Sequence, residues 1–360
     1  MNNNNETLVL VTGASGYIGT HCVKELLKEG YRVRGTVRSL QNAKKTDPVR
    51  RLAANKTDRL ELVEADLLDS SCWEAAVAGC DYILHVASPF PIVADKKCIE
   101  TAIEGTLNVL KAANRTVSVR KVVLTSSCAA VNEGHPQEKV FDETSWTNVD
   151  REEVDDYARS KTLAEKAAWD FVENISSGNK FALTTINPTF VVGPLLIDEQ
   201  GASITVIRRF LNMEMPACPP LNLALVDVRD VARAHIEAMR RPESDGERFL
   251  CTGQPSFWFL DIARVIRREF GPQGYWLPRF QAPFFIMWLY SFFDSQAAAC
   301  LHRTGQKMRF DNSKAEKILG MRFRDPGQAI VDMAYTLVER GIVKKTRGYR
   351  GVPEELKREL

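Results

Sequence analysis

The eight cysteines of this 360-residue chain, at positions 22, 72, 80, 98, 128, 218, 251 and 300, form no CxxC pair and no zinc-type spacing. Scattered thiols in so long a chain read as buried and reduced, which excludes a disulfide-stapled secreted scaffold. Neither charge is in excess: 48 Lys and Arg stand against 46 Asp and Glu, for a net +2. That balance argues against a polyanionic partner, nucleic acid included. The start, MNNNNE, is polar and reads as no secretory signal. Long apolar runs are lacking too. The most apolar stretch, residues 282–293 (APFFIMWLYSFF), falls well short of the ~20 residues a bilayer span needs. Few basic residues flank it, so a buried helix or a domain-packing segment is expected, with interfacial membrane contact as the lesser alternative. An apolar fraction of 44% and a charged fraction of 26% are those of an ordinary globular protein, expected to be cytoplasmic.

What is present is organised around residues 8–19, LVLVTGASGYIG. Leu8 to Val11 is a continuous apolar run, as in a strand covered on both faces. Glycines 13, 16 and 19 follow, then a helical pattern with Ile18, Cys22, Leu26 and Leu27 on one side. In such a turn Gly13 permits the bend, Gly16 admits a pyrophosphate against backbone, and Gly19 lets helix and strand pack closely. The free N–H groups of a helix N-terminus favour phosphate there. Thr12, Ser15, Tyr17 and Ile18 complete the candidate cradle.

A second strand over 31–37 (YRVRGTV) ends without the carboxylate that would hold a ribose 2′-hydroxyl; Arg38 follows, with Lys44 and Lys45 close behind. Cations at this place pair with a 2′-phosphate, which points to NADP(H). A third strand over 60–64 leads to Asp66 and Leu67, where Asp66 either accepts from an adenine amino group or caps a helix beginning near Ser70. A fourth, 82–86, runs into Ala87, Ser88, Pro89 and Phe90, small residues that leave room for a ribose. A helix over 101–114 and a fifth apolar strand, 121–126, precede Ser127. Strands and helices alternating at this spacing predict an α/β fold, a doubly wound parallel sheet whose ligands lie beyond the carboxyl ends of the strands.

Residues 155–161 (DDYARSK) open a long helix. Tyr157 and Lys161, four apart, share one face. A phenol with a pKa near 10 exchanges protons poorly at neutral pH, and a neighbouring ammonium is expected to bring it down. The same ammonium suits ribose hydroxyls, and Ser127 suits a carbonyl oxygen. These residue types assemble a proton donor for hydride chemistry.

TGASGYIG, TVR, ADL, HVASPF, TSSCAAV, FDETSW, YARSKTLAEKAAW and NPTFVVGP together resemble the extended short-chain dehydrogenase/reductases, in the branch of dihydroflavonol, anthocyanidin, cinnamoyl-CoA and fungal aldehyde and ketone reductases. The likeness is dense from Leu8 to about Pro194 and looser through LVDVRDVARAHI. It implies a Rossmann sheet with a smaller C-terminal substrate-binding lobe, NADP(H), and Ser127, Tyr157 and Lys161 as the catalytic triad. It also implies Arg38 and Lys45 at the 2′-phosphate and Asp66 and Leu67 at adenine. Val86, Ala87 and Ser88 would lie at ribose, with Pro188, Thr189 and Phe190 walling the nicotinamide. The helix asparagine of compact members falls at Ala102 here, so a proton relay through it is not expected. The implied organisation is a cofactor domain over 7–190, rejoined by later segments, a substrate lobe over 191–345, and flexible tails at 1–6 and 346–360.

Phe90, Asn132 and Ile204, with Ile197, Ile207, Trp258 and Phe259, are candidate pocket walls; Asn132 lies where flavonoid reductases contact substrate hydroxyls. Apolar walls favour an aromatic or aliphatic aldehyde or ketone, dihydroflavonols among them. A nucleotide-sugar epimerase needs more cations than Arg208 and Arg209. A steroid dehydrogenase/isomerase or a non-catalytic NADP sensor would fit the same scaffold. The expected assembly is a monomer or homodimer acting on a small carbonyl compound.

Overall fold

The computed structural model describes residues 4–54, 57–88, 96–135, 139–199, 201–292 and 301–360. Strand β1 (Leu8–Thr12) is followed by helix α1 (Tyr17–Lys28), β2 (Arg32–Val37), α2 (Ala43–Arg51) and β3 (Leu60–Glu64). Then come α3 (Trp73–Val77), β4 (Tyr82–His85), α4 (Lys96–Arg115), β5 (Lys121–Thr125), α5 (Asp156–Glu173) and β6 (Ala182–Pro188). The chain leaves this layer through β7 (Phe190–Val192), α6 (Ala202–Leu211), β8 (Asn222–Leu223) and β9 (Leu225–Asp227). It returns through α7 (Val228–Arg240) and β10 (Arg248–Cys251). Last are β11 (Phe257–Trp258), α8 (Phe259–Phe270), α9 (Phe284–Tyr290), α10 (Ser313–Ile318), α11 (Pro326–Glu339) and α12 (Glu354–Glu359).

The main sheet has seven parallel strands in the order β10-β6-β5-β4-β1-β2-β3. Side chains alternate between its two faces. Val9 and Val11 of β1 pack with the α1 and α7 residues, while Leu8 and Leu10 pack with α3 and α4. Strand order reverses between β1 and β4, and the crevice at that switch point is where such sheets hold ligands. A second core gathers α6, α8 and α11, with Phe210 and Phe259 rings 5.9 Å apart.

Two expectations require correction. Residues 346–360 do not trail as a tail: Thr346 donates to the Gln273 carbonyl, and Val352 and Leu356 are buried in the second core. Their apolar side chains find a place there, which outweighs the polar character of the stretch. Nor do the described residues of the 282–293 stretch, 282–292, form a buried helix. Within α9, Met287 is buried, while Phe284, Phe285, Ile286, Trp288 and Leu289 are exposed.

Candidate active site

The glycine turn sits at the carboxyl end of β1. Gly13 has φ +66°, and a β-carbon there would come within 3.1 Å of Ala87. A β-carbon at Gly19 would run into the Gly13 carbonyl oxygen, so helix and turn approach as closely as backbone allows. The turn is tied to β2, with Gly13 N donating to Thr36 Oγ1 at 3.0 Å and Ala14 N to Thr36 O at 3.0 Å. Gly16 caps α1 with no side-chain hydrogen bond. First-turn N–H groups, those of Tyr17, Ile18 and Gly19, therefore face out of the helix end toward the crevice. Thr12 Oγ1 accepts from Ala87 N at 2.9 Å and pairs with His85 Nδ1 at 2.8 Å, locking the β1 and β4 ends together. Tyr17 offers this turn only its backbone, since its hydroxyl donates to Gly193 O at 2.7 Å.

Around the crevice, Arg38 is exposed and makes no ion pair among the described residues. Lys45 differs: its ammonium bonds Glu199 Oε2 at 2.7 Å and Asp198 O at 3.1 Å, so a carboxylate from the second lobe engages it. Asp66 Oδ1 accepts from Leu68 N at 2.9 Å. It caps this turn rather than a helix, because α3 begins only at Trp73, with Cys72 before it. Asn108 of α4 donates to Leu67 O at 2.9 Å and holds the loop in place. Phe90 lies outside the described residues.

The triad residues converge. Asp155 caps α5 by accepting from Ala158 N at 2.7 Å, which starts the helix where Tyr157 and Lys161 share a face toward the β5 end. Ser127 is hydrogen-bonded to the Tyr157 side chain. Lys161 Nζ donates to Ser88 Oγ at 2.9 Å and lies 5.8 Å from the Tyr157 ring centre. The expected lowering of the phenol by Lys161 is not what dominates. Burial pushes the Tyr157 hydroxyl up, and the Ser127 hydrogen bond only partly opposes it. Burial brings Lys161 down to about 8, opposed by Cys98 and Glu165. At neutral pH the site thus holds a protonated phenol beside an ammonium. Cys128, next to Ser127, is pushed up to about 12 by burial and is an unreactive thiol.

One buried cluster was missed by sequence reasoning. Glu165, on the next turn after Lys161, accepts from Arg248 Nε at 2.6 Å, Thr185 Oγ1 at 3.0 Å, Ser126 Oγ at 2.5 Å and Asn187 Nδ2 at 2.8 Å. Asn187 also donates to Ser127 O at 3.2 Å. Arg248 stacks 3.6 Å over the Trp146 ring and donates to the Glu143 and Ser145 carbonyls. The carboxylate so joins β5, α5, β6 and β10 directly beneath the triad. The signal available was position: Glu165 stands four residues after Lys161.

The substrate-side candidates fare unevenly. Asn132 is buried, with Nδ2 bonded to Glu133 Oε1 at 3.1 Å and Oδ1 without a partner among the described residues. Beside it, Arg303 bonds Glu133 and Asp155, each at 3.2 Å. Ile204, Ile207 and Phe259 pack in the second core, because the apolar face of α6 turns toward α8 and α11. Ile197 is likewise fully buried. Trp258 lines a cleft of about 250 Å³ with Pro220, Leu260, Arg264 and Gly305. Pro188 ends β6, Thr189 bonds Thr252 Oγ1 at 3.1 Å, and Phe190 begins β7. No cluster of metal-ligating side chains occurs among the described residues.

Sheet, glycine turn and Tyr–Lys helix face define a dinucleotide-type oxidoreductase architecture. The chain belongs to the NAD dependent epimerase/dehydratase family, whose profile it matches over residues 9–251. It is 39% identical over 268 residues to a cinnamoyl-CoA reductase of Medicago truncatula, covering 72% of this chain and 80% of the relative. An anthocyanidin reductase of Vitis vinifera is 35% identical over 278 residues, with 72% and 80% covered. The yeast methylglyoxal/isovaleraldehyde reductase Gre2, solved with NADPH, superposes with a TM-score of 0.76 at 29% identity, covering 93% of this chain and 99% of that one. The extended short-chain dehydrogenase/reductase expected from the motifs, and its oxidoreductase class, are borne out.

Proposed function

We propose that this protein is an NADPH-dependent carbonyl reductase that reduces an aldehyde or ketone, with Tyr157 as general acid. The observation that carries this reading is the protonated, buried phenol of Tyr157, hydrogen-bonded to Ser127 and one helical turn from the Lys161 ammonium. The cofactor fits the residues present: an uncapped helix N-terminus and close-packed glycines for the pyrophosphate, and an exposed, uncommitted Arg38 for the 2′-phosphate. Similar proteins named as reductases, one solved with NADPH, support it.

When bound, the nicotinamide supplies the hydride. Ser127 orients the substrate oxygen by hydrogen bonding, and Tyr157 delivers the proton to that oxygen as negative charge develops on it. Lys161, now held by Ser88, is placed to hold ribose hydroxyls and to stabilise the phenolate left behind.

The test is NADPH consumption against a panel of aliphatic aldehydes, aromatic ketones and dihydroflavonols, with NADH in parallel. Turnover with NADPH, lost by at least a thousandfold in Tyr157→Phe while NADPH still binds, is the expected result. Tight NADPH binding with no carbonyl turned over would overturn the reading.

A further inference from the structure

The six side chains Phe284, Phe285, Ile286, Trp288, Leu289 and Phe292 are 44–66% exposed, and Trp276 and Phe280 extend the same stretch. Elsewhere in the described molecule, exposed large apolar residues occur singly. Clustering of this kind marks an interaction surface rather than ordinary surface scatter. From this ridge we infer that residues 276–292 seat the protein on an anionic lipid bilayer.

Shape selects a fluid partner. At about 100° per residue, the exposed positions of α9 and Phe292 cover an arc of roughly 200°, opposite the buried Met287. That is a convex apolar ridge held to the protein along one line, with no polar face for a flat protein partner. A stable protein interface takes about 800 Å² from each side, and a seven-residue helix is only about 10 Å long. Shallow insertion among headgroups and acyl chains asks less, and Trp and Phe side chains are suited to that depth.

Charge selects the lipid. No Asp or Glu occurs from residue 270 to residue 293. Arg268 and Arg279 are exposed and carry no carboxylate partner among the described residues. Arg279, an uncompensated guanidinium within the apolar stretch itself, complements anionic headgroups. The ridge is fixed to the body at its base, where Cys218 N donates to Phe280 O at 3.0 Å and Ala282 N to Cys218 O at 2.7 Å. The inference does not depend on the catalytic reading.

The full chain is floated with phosphatidylcholine vesicles, with and without phosphatidylserine. Expected is flotation with the serine-containing vesicles, falling at least tenfold in Phe285→Ser/Trp288→Ser and severalfold in Arg279→Gln or at high salt. Both variants change exposed side chains, so NADPH binding and thermal midpoint should match the parent. Without any variant, bromine-labelled acyl chains should quench the tryptophan fluorescence of the parent. No flotation with either vesicle overturns the inference. So does flotation that the double variant leaves unchanged. A concentration-dependent dimer that the double variant abolishes, without flotation, assigns the ridge to a second copy and equally overturns it.

Discussion

Lys161 is the residue whose charge sets the pH range of the site. Burial lowers it from its ordinary value to about 8, while Glu165 and Cys98 act the other way. The ammonium is present at neutral pH and is lost as pH rises through that value. Reductive kcat/KM should therefore fall above about pH 8, with the slope of a single ionisation. A profile flat to pH 10 would mean that Lys161 is not the group required in its charged form. Tyr157 sets no limit in this range, since burial has moved its phenol upward. The sequence placed Tyr157 and Lys161 on one helix face, because four-residue spacing is a local property. It did not disclose that Lys161 turns to Ser88, because that partner arrives from the end of another strand.

At the scale of elements, the Glu165–Arg248 pair joins a helix to the last strand added to the sheet. Both side chains are buried, and five side chains, Trp169 among them, donate to the carboxylate. Glu165→Ala leaves Arg248 without its counter-charge and should cost about 3–5 kcal/mol, read as a shift in the urea midpoint. Glu165→Gln keeps the shape and the hydrogen bonds to one of the two oxygens but removes the charge that holds Lys161 up. Its alkaline limb should move to lower pH, a response that loss of packing alone does not produce. An unmoved limb would reduce Glu165 to a structural role. Elements were legible where their pattern is internal: β1 and β5 are unbroken apolar runs, and α5 has its cap and its face in one stretch. Partners were not. The sequence offered Ile204 and Ile207 as pocket walls without disclosing that α8 and α11 pack against them, and Glu165 and Arg248 stand 83 residues apart. The stretch around α9 was apolar enough to read as buried, and only the fold shows that its neighbours leave it uncovered.

Across the whole molecule, three histidines are buried uncharged: His21 and His235 are brought down to about 4 and His85 to about 3, each by burial. Unfolded, each takes a proton near pH 6.5. The unfolded chain then binds more protons, so the stability these groups carry is full above that pH and is lost as pH falls toward 4. Asp230, raised to about 6 by burial, opposes the trend by roughly one proton. The net should be about 2–3 kcal/mol lost per pH unit between pH 6 and 5. Urea unfolding at pH 7.5 and 5.5 checks it, and equal midpoints would contradict it.

The order of strands also bears on synthesis. β10, which closes one edge of the sheet beside β6, lies beyond the first part of the second lobe in the chain. At about 5–20 residues per second, a ribosome takes several seconds to add the roughly 60 residues from Pro188 to Arg248. Through that interval the nascent sheet holds β6 as an open edge and Glu165 without its guanidinium. The growing chain passes through a stage in which its nucleotide-type core is drawn but unsealed, and that stage is where a holding chaperone has the most to gain.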